Sequence, residues 1–403
     1  MDDDKSRRAF IAGAASAGAV SATGCLQRLP FVGGSSDDGG EGNETDDDTA
    51  SGTGDTNWRS FQYDDSNTGY SADATVPVRS FEVDWAFETA RSVQSSPAVV
   101  DGTVYVGSYD KSLYAVNASD GSENWSFETG YIIGLSSPAV VDGTVYVGSF
   151  DSNVYALDAS DGDEVWSFET GGYVLSSPVV VDGTVYVGSF DGNVYALDAS
   201  NGDELWRFRT GDSVGSSPAV VDGTVYVGSF DSNVYALDAS NGDEVWSFET
   251  DGEVLSSPTV VDGTVYVGSR DGRMYVLDGE TGTEEWSYGT DGGILGSPAY
   301  AEGNLFFGSQ DGSVYGLRDS GEERWTYETD GEVQSSPTVG MGVVYVGSRD
   351  GYLYALRGDN GEELWSLETG EGVESSSGVD SSPALAGGAV LFGANDGNVY
   401  RLS

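Results

Sequence analysis

The chain is predicted to be all-β, an eight-bladed β-propeller of four-stranded antiparallel blades whose last blade is closed by an outer strand from the N-terminal side. Three observations predict this. A unit of about forty residues recurs, each copy marked by a Ser-Pro step ending at Pro97, Pro138, Pro178, Pro218, Pro258, Pro298, Pro337 and Pro383. A tryptophan follows each of the first seven steps at about twenty-eight residues, at Trp125, Trp166, Trp206, Trp246, Trp286, Trp325 and Trp365. The markers are out of phase, since no tryptophan follows the last step and a spare one, Trp85, precedes the first. A strand that supplies at the start what the end lacks is the mark of a ring of repeats.

Each element follows from one copy. In the unit that begins at Ser216, residues 216–221, 224–229, 233–237 and 244–248 are four short runs rich in Val and Tyr, which favour strands. Between them stand Asp222-Gly223, Phe230-Asp231-Ser232 and Ala239 to Asp243, the turn chemistry of antiparallel hairpins. The runs are apolar at most positions, as expected of sheets covered on both faces by neighbouring blades. Proline cannot donate to a ladder, so the first run is placed innermost, beside the channel. The fourth run carries the tryptophan as an apolar plug between blades. Closure assigns residues 81–89 as the outer strand of the last blade, whose inner three come from residues 380–402. No segment beyond the leader has the length and period of a helix.

The N-terminal part is set aside from the fold. Residues 1–24 read as an export signal, with Arg7-Arg8 in a twin-arginine context and a weakly apolar Ala/Gly run behind it. Ala22-Thr23-Gly24-Cys25 has the form of a lipobox, so Cys25 is expected to carry lipid and anchor the protein to the outer face of the cytoplasmic membrane. The apolar run is shorter than the roughly 20 residues a membrane span needs. Cys25 is also the only cysteine, which excludes an intrachain disulfide. Residues 25–57 are Gly, Ser, Thr and Asp with little apolar content, a disordered tether, and 58–80 form a lead-in to the propeller at 81–403. Asn43, Asn117 and Asn124 head glycosylation sequons.

The formal charge of −50 arises from 67 acids against 17 bases, with Lys5 and Lys111 the only lysines and no histidine. Such a surface repels itself in dilute buffer and is relieved when molar salt shortens the screening length to about 3 Å. Acid excess with lysine depletion resembles proteins of haloarchaea, and it argues against nucleic-acid binding, which needs a basic footprint.

Residues 196–206, Ala-Leu-Asp-Ala-Ser-Asn-Gly-Asp-Glu-Leu-Trp, resemble the tryptophan-docking motif of the pyrroloquinoline-quinone (PQQ) repeat family, with Ala first, Asp or Asn third, Gly seventh and Trp last. The motif recurs at 115–125, 156–166 and 236–246, with changes at 276–286 and 355–365, and one residue short before Trp325. The resemblance covers roughly residues 58–403. It implies either a quinoprotein dehydrogenase that binds PQQ and calcium or a non-enzymatic propeller of the BamB lipoprotein type. This chain resembles the second group. It has no imidazole base, no cysteine pair of the kind those dehydrogenases carry above the cofactor, and its prominent acids sit in repeated turns. No cofactor and no metal are expected. The Asp198 to Glu204 turn evokes a calcium loop, but its ligand spacing departs from the EF-hand pattern and turn-capping explains it.

Positions that vary within a uniform repeat carry the functional expectation. The residue after Gly-Ser (Gly-Ala in the last copy) is Tyr109, Phe150, Phe190 and Phe230 in the first four blades, then Arg270, Gln310, Arg349 and Asn395. The blade-to-blade connections reach the same face and add Tyr131, Ile132 and Tyr173. One half of that face is expected to be aromatic and the other polar with two arginines, a surface suited to an envelope or membrane protein. The alternatives are that the rings pack down between blades, or that the channel mouth takes a glycan or small ligand. An excess of six residues near 371–380 predicts a longer loop on this face. The propeller is expected to be monomeric.

Overall fold

The computed structural model describes residues 57–370 and 378–403. The expectations for Arg7, Arg8, Cys25, Asn43 and the tether lie outside these residues, as does most of the long loop expected near 371–380. Among the described residues no helix is long and apolar enough to cross a membrane.

Two strands, β1 (Tyr70–Ser71) and β2 (Val83–Glu88), precede the first complete blade, which is β3 (Ala98–Val100), β4 (Thr103–Gly107), β5 (Ser112–Asn117) and β6 (Glu123–Glu128), ordered from channel to rim. Six more blades repeat this order. The eighth consists of Ala384–Ala386, Ala389–Gly393 and Asn398–Leu402 with β2 antiparallel at its outer edge. The fold is therefore an eight-bladed all-β propeller of four-stranded antiparallel blades. The proline of each step precedes its inner strand rather than lying in it. One departure from the repeat is β1, which adds in parallel to Thr338–Gly340 and gives the seventh blade a fifth strand.

The chemistry of one repeat explains its shape. Asp222 and Gly223 both take positive φ, 50° and 78°, the mirror-image turn whose twist matches a tight hairpin. The apolar core lies between blades rather than within them. Tyr186, Val194, Ala196 and Trp206 of the third blade pack with Val220, Val225, Tyr235 and Leu237 of the fourth, and equivalent clusters recur around the ring.

Seven tryptophans dock on the blade that follows their own. The Trp206 indole donates to the Ala239 carbonyl at 2.9 Å. Its ring lies so close to Gly242 that a Cβ there would approach to 2.6 Å, and Gly242 also needs φ of +76°, so only glycine fits the seventh position of the motif. Trp85 performs the same role at the seam, donating to Ala118 O at 3.0 Å. Trp365 has no such turn to meet and donates instead to Pro77 O of the lead-in at 3.2 Å, with Phe81 against its ring.

A second tie joins the blades on the opposite face. Asp231, in the turn between the second and third strands, accepts from the Gly211 amide of the preceding connection at 2.6 Å, from Asn233 N at 3.0 Å and from Tyr235 Oη at 2.7 Å. The Asp-Tyr bond and the bond from the preceding connection recur in all eight blades, from Asp110 with Tyr114 to Asp396 with Tyr400. Burial and the Asp191 carboxylate push Tyr195 up to about 12. Burial alone would raise the Asp191 carboxyl, but Tyr195, the Gly171 amide and Asn193 hold it below the usual range. A depressed carboxyl contributes stability above the ordinary carboxylate range, near 4, and loses it as pH falls through the folded value. Asp231→Ala is expected to cost about 1–3 kcal/mol, read from denaturant midpoints, because it removes the acceptor of a tyrosine hydroxyl and two backbone amides. Asp191→Asn should flatten the acid limb of the stability curve, and an unchanged limb would count against this role.

Candidate interaction face and channel mouth

The antiparallel order puts the blade-to-blade connections and the turns between second and third strands on one face, and the other turns on the opposite face. On the first face the expected aromatics form a row across the second to fourth blades. Phe150 stacks on Tyr173 at 5.2 Å with 11° between planes, Tyr173 lies 6.5 Å from Phe190, and Phe190 meets Phe230 edge-on at 5.3 Å. The phenylalanines are half-buried, whereas Tyr131 and Tyr173 are each 49% exposed. The rings are thus shared between stacking and solvent. Lys111 Nζ sits 6.0 Å from the centroid of Tyr131.

Tyr109 does not join the row. Its hydroxyl donates to Gln94 Oε1 at 2.6 Å, and Gln94 Nε2 donates to Asp380 Oδ2 and Asn395 Oδ1 at 3.1 and 3.2 Å. It belongs to the polar half, because Gln94 stands where the next blades carry leucine. The two arginines are not free cations either. Arg270 pairs with Glu253 at 2.5 Å, and Arg349 with Asp380 at 2.9 Å and Glu332 at 3.5 Å. Burial would lower the Arg349 guanidinium, but Asp380 and Glu332 outweigh that and hold it above its usual value. Asn395 is fully buried and donates to Asp380 at 3.1 Å.

A position that the sequence reading passed over lines the mouth of the central channel. It precedes the serine pair of each step (Gly296-Ser297 in one) and is Leu135, Leu175, Leu255 or Leu295 on one side, with Gly215 among them, and Gln334, Asp380 and Gln94 on the other. The aliphatic arc adjoins the aromatic row through Phe230. The register comparison that singled out Tyr109 and its equivalents would have found it three residues before each proline.

Below the mouth the serine preceding each proline forms a closed circle. The amide of Ser96 donates to Ser137 Oγ, Ser137 to Ser177, and so on through Ser336 to Ser382 and from Ser382 back to Ser96, at 2.8 to 3.1 Å. The channel ends blind. The lead-in crosses its far end and gives a backbone carbonyl to one inner-strand amide in six of the eight blades. Trp58, Arg59, Asp65, Ser66, Thr68 and Gly69 serve Val99, Val140, Val220, Val260, Tyr300 and Val339 at 2.7 to 2.9 Å. Asn67 Nδ2 donates to Pro218 O and Pro258 O at 3.2 and 3.1 Å, and Phe61 lies at the floor of a cavity of about 160 Å³.

A closed ring of tryptophan-docked repeats with one patterned face defines a class, the repeat propellers that present a mouth and a rim. Within that class the chain belongs to the PQQ-repeat family whose model is described as outer membrane protein assembly factor BamB, which matches residues 78–148, 133–213 and 289–403. A model of the β-propeller of beta-alanine-activating enzyme matches residues 180–342. No curated protein matches the chain. Among solved structures, BamB from Moraxella catarrhalis is similar with a TM-score of 0.69 at 20% identity, covering 80% of this chain and 98% of that one. The quinohemoprotein alcohol dehydrogenase from Comamonas testosteroni aligns with a TM-score of 0.73 at 17% identity, over 86% and 80%. A europium-containing methanol dehydrogenase aligns at 0.75 and 14%, over 86% and 98%. These likenesses establish the fold.

The channel residues do not fit a quinone cofactor held with a metal ion. PQQ is a polycarboxylate that needs unpaired cations, and among the described residues the one cation lining this mouth, Arg349, is held by Asp380 and Glu332. Among the described residues no group of three His, Cys, Asp or Glu side chains could hold a metal.

Proposed function

We propose that the protein is an exported, lipid-anchored, non-enzymatic propeller that serves as a protein-interaction scaffold at the outer side of a halophile's cell membrane. The observation that carries this reading is the row Phe150, Tyr173, Phe190 and Phe230, continuous across three blades and bordered by the exposed Tyr131 and by Leu135, 43% exposed. Aromatic side chains presented together on a rigid surface are the usual anchors of protein contacts. The assembly-factor description of the family supports the same reading, and the residues around Arg7-Arg8 and Cys25 supply the address.

The test uses the triple variant Phe150→Ala, Phe190→Ala, Phe230→Ala. Capture of the partner from salt-adapted membranes is expected to weaken on the order of a hundredfold, as loss of two or three anchors implies, with the ring still closed by circular dichroism. Unchanged capture would overturn the assignment of the face. Stoichiometric PQQ binding with dye reduction at high salt would establish an oxidoreductase instead.

A further inference from the structure

The channel mouth adds a second feature to the face, and it concerns the chemistry of the partner. Its walls and its depth differ. At the rim stand Leu135, Leu175, Leu255, Leu295 and Phe230, while seven of the eight circle serines line the cavity below. Each of those eight serines is at least nine-tenths buried, from 1% exposure at Ser137 to 7% at Ser217. Each Oγ already accepts a backbone amide. Among the described residues none of the eight donates its own hydrogen to a protein acceptor. The circle is therefore a belt of hydroxyls at the bottom of an apolar throat, each with its own hydrogen available to an acceptor in the channel.

Charge and size narrow the occupant. Among the described residues the lining holds one cation and one anion, Arg349 and Asp380, which bind each other at 2.9 Å. A charged tip would meet no free counter-charge there. The cavity, about 160 Å³, is smaller than the roughly 300–1,000 Å³ of small-molecule pockets. It is also closed by Phe61, so nothing threads through. One side chain fits these conditions better than a whole ligand.

We propose that the blind channel is a socket for one tyrosine-like side chain, an apolar ring ending in an oxygen acceptor, carried on a loop of the partner protein. The ring lies against the leucine arc and Phe230, the oxygen accepts from the serine circle, and the flanking loop crosses the aromatic row. The inference rests on the scaffold reading and makes it specific.

The minimal probe is p-cresol, the tyrosine side chain alone, compared with toluene, which lacks the oxygen, on the full-length protein at molar salt. Calorimetry and crystal soaking are expected to place p-cresol in the channel with its oxygen toward the serines and to show affinity on the order of tenfold above toluene, the worth of one added hydrogen bond to a buried donor. Leu255→Asp and, separately, Leu175→Asp should abolish p-cresol binding while the melting temperature certifies the fold. Equal affinity for the two probes, no binding, or binding outside the channel would overturn the socket. Loss of partner capture in the phenylalanine variant without p-cresol binding would leave the scaffold standing and remove the socket. Binding of p-cresol as described, with capture unchanged in that variant, would support the socket and remove the face.

Discussion

A chain that begins at Ala90, lacking the lead-in and β2, is expected to lose the closed propeller altogether. Light scattering at molar salt should show oligomers or aggregates, and thermal unfolding should lose its cooperative transition. Four losses coincide in that truncation. Asn398–Leu402 is left as a bare edge strand, a template for pairing with another chain. Trp365 loses the Pro77 carbonyl and Phe81. Inner-strand amides from Val99 to Val339 lose their acceptors. The eighth blade loses the tryptophan that docks it on the first. Repeat arrays draw their stability from neighbour interfaces, and a ring differs from an open array by the one interface that β2 completes. The single variant Trp85→Ala should be milder, about 3 kcal/mol. A cooperative monomer from the truncated chain would show that closure does not depend on the N-terminal segment.

Dialysis from molar potassium chloride into dilute buffer is expected to unfold the propeller reversibly, followed by circular dichroism and tryptophan fluorescence. The formal charge is −50, and most of the 67 acids are spread through the turns and outer strands of nearly every blade. The screening length is about 3 Å at 1 M salt and about 10 Å at 0.1 M, so dilution turns a set of local repulsions into one that acts across whole blades. Returning the salt should restore the signal, with sodium and potassium chloride equivalent because screening does not distinguish them. A native spectrum in dilute buffer would remove the halophile reading.

The number of blades and the closing strand were legible because Ser-Pro and Trp each report a structural position in every copy, and their phase difference reports which end supplies the missing strand. The turns were legible for the same reason, since Asp222-Gly223 can take few conformations other than the one found. The aromatic row was legible as a list of positions but not as a surface. Tyr109 shares its register with Phe150, yet its hydroxyl reaches Gln94, a partner fifteen positions away whose identity decides which half of the face Tyr109 joins. Arg270 and Arg349 were legible as arginines of the polar half, but their acidic partners were not.

What the amino-acid sequence determined alone is the repeat: four strands, their turns, a docking tryptophan with its glycine, and eight copies in a ring. These are local matters, set by backbone preference within about forty residues and copied. What the tertiary structure decided is everything on the axis. The serine circle, the leucine arc and the blind floor each take one residue or one amide from blades far apart in the chain, and the lead-in that closes the channel has no copy with which to be compared. Contacts assembled from single residues of many repeats carry no periodic signal beyond that of the repeat itself, so only the closed ring shows that they face one another.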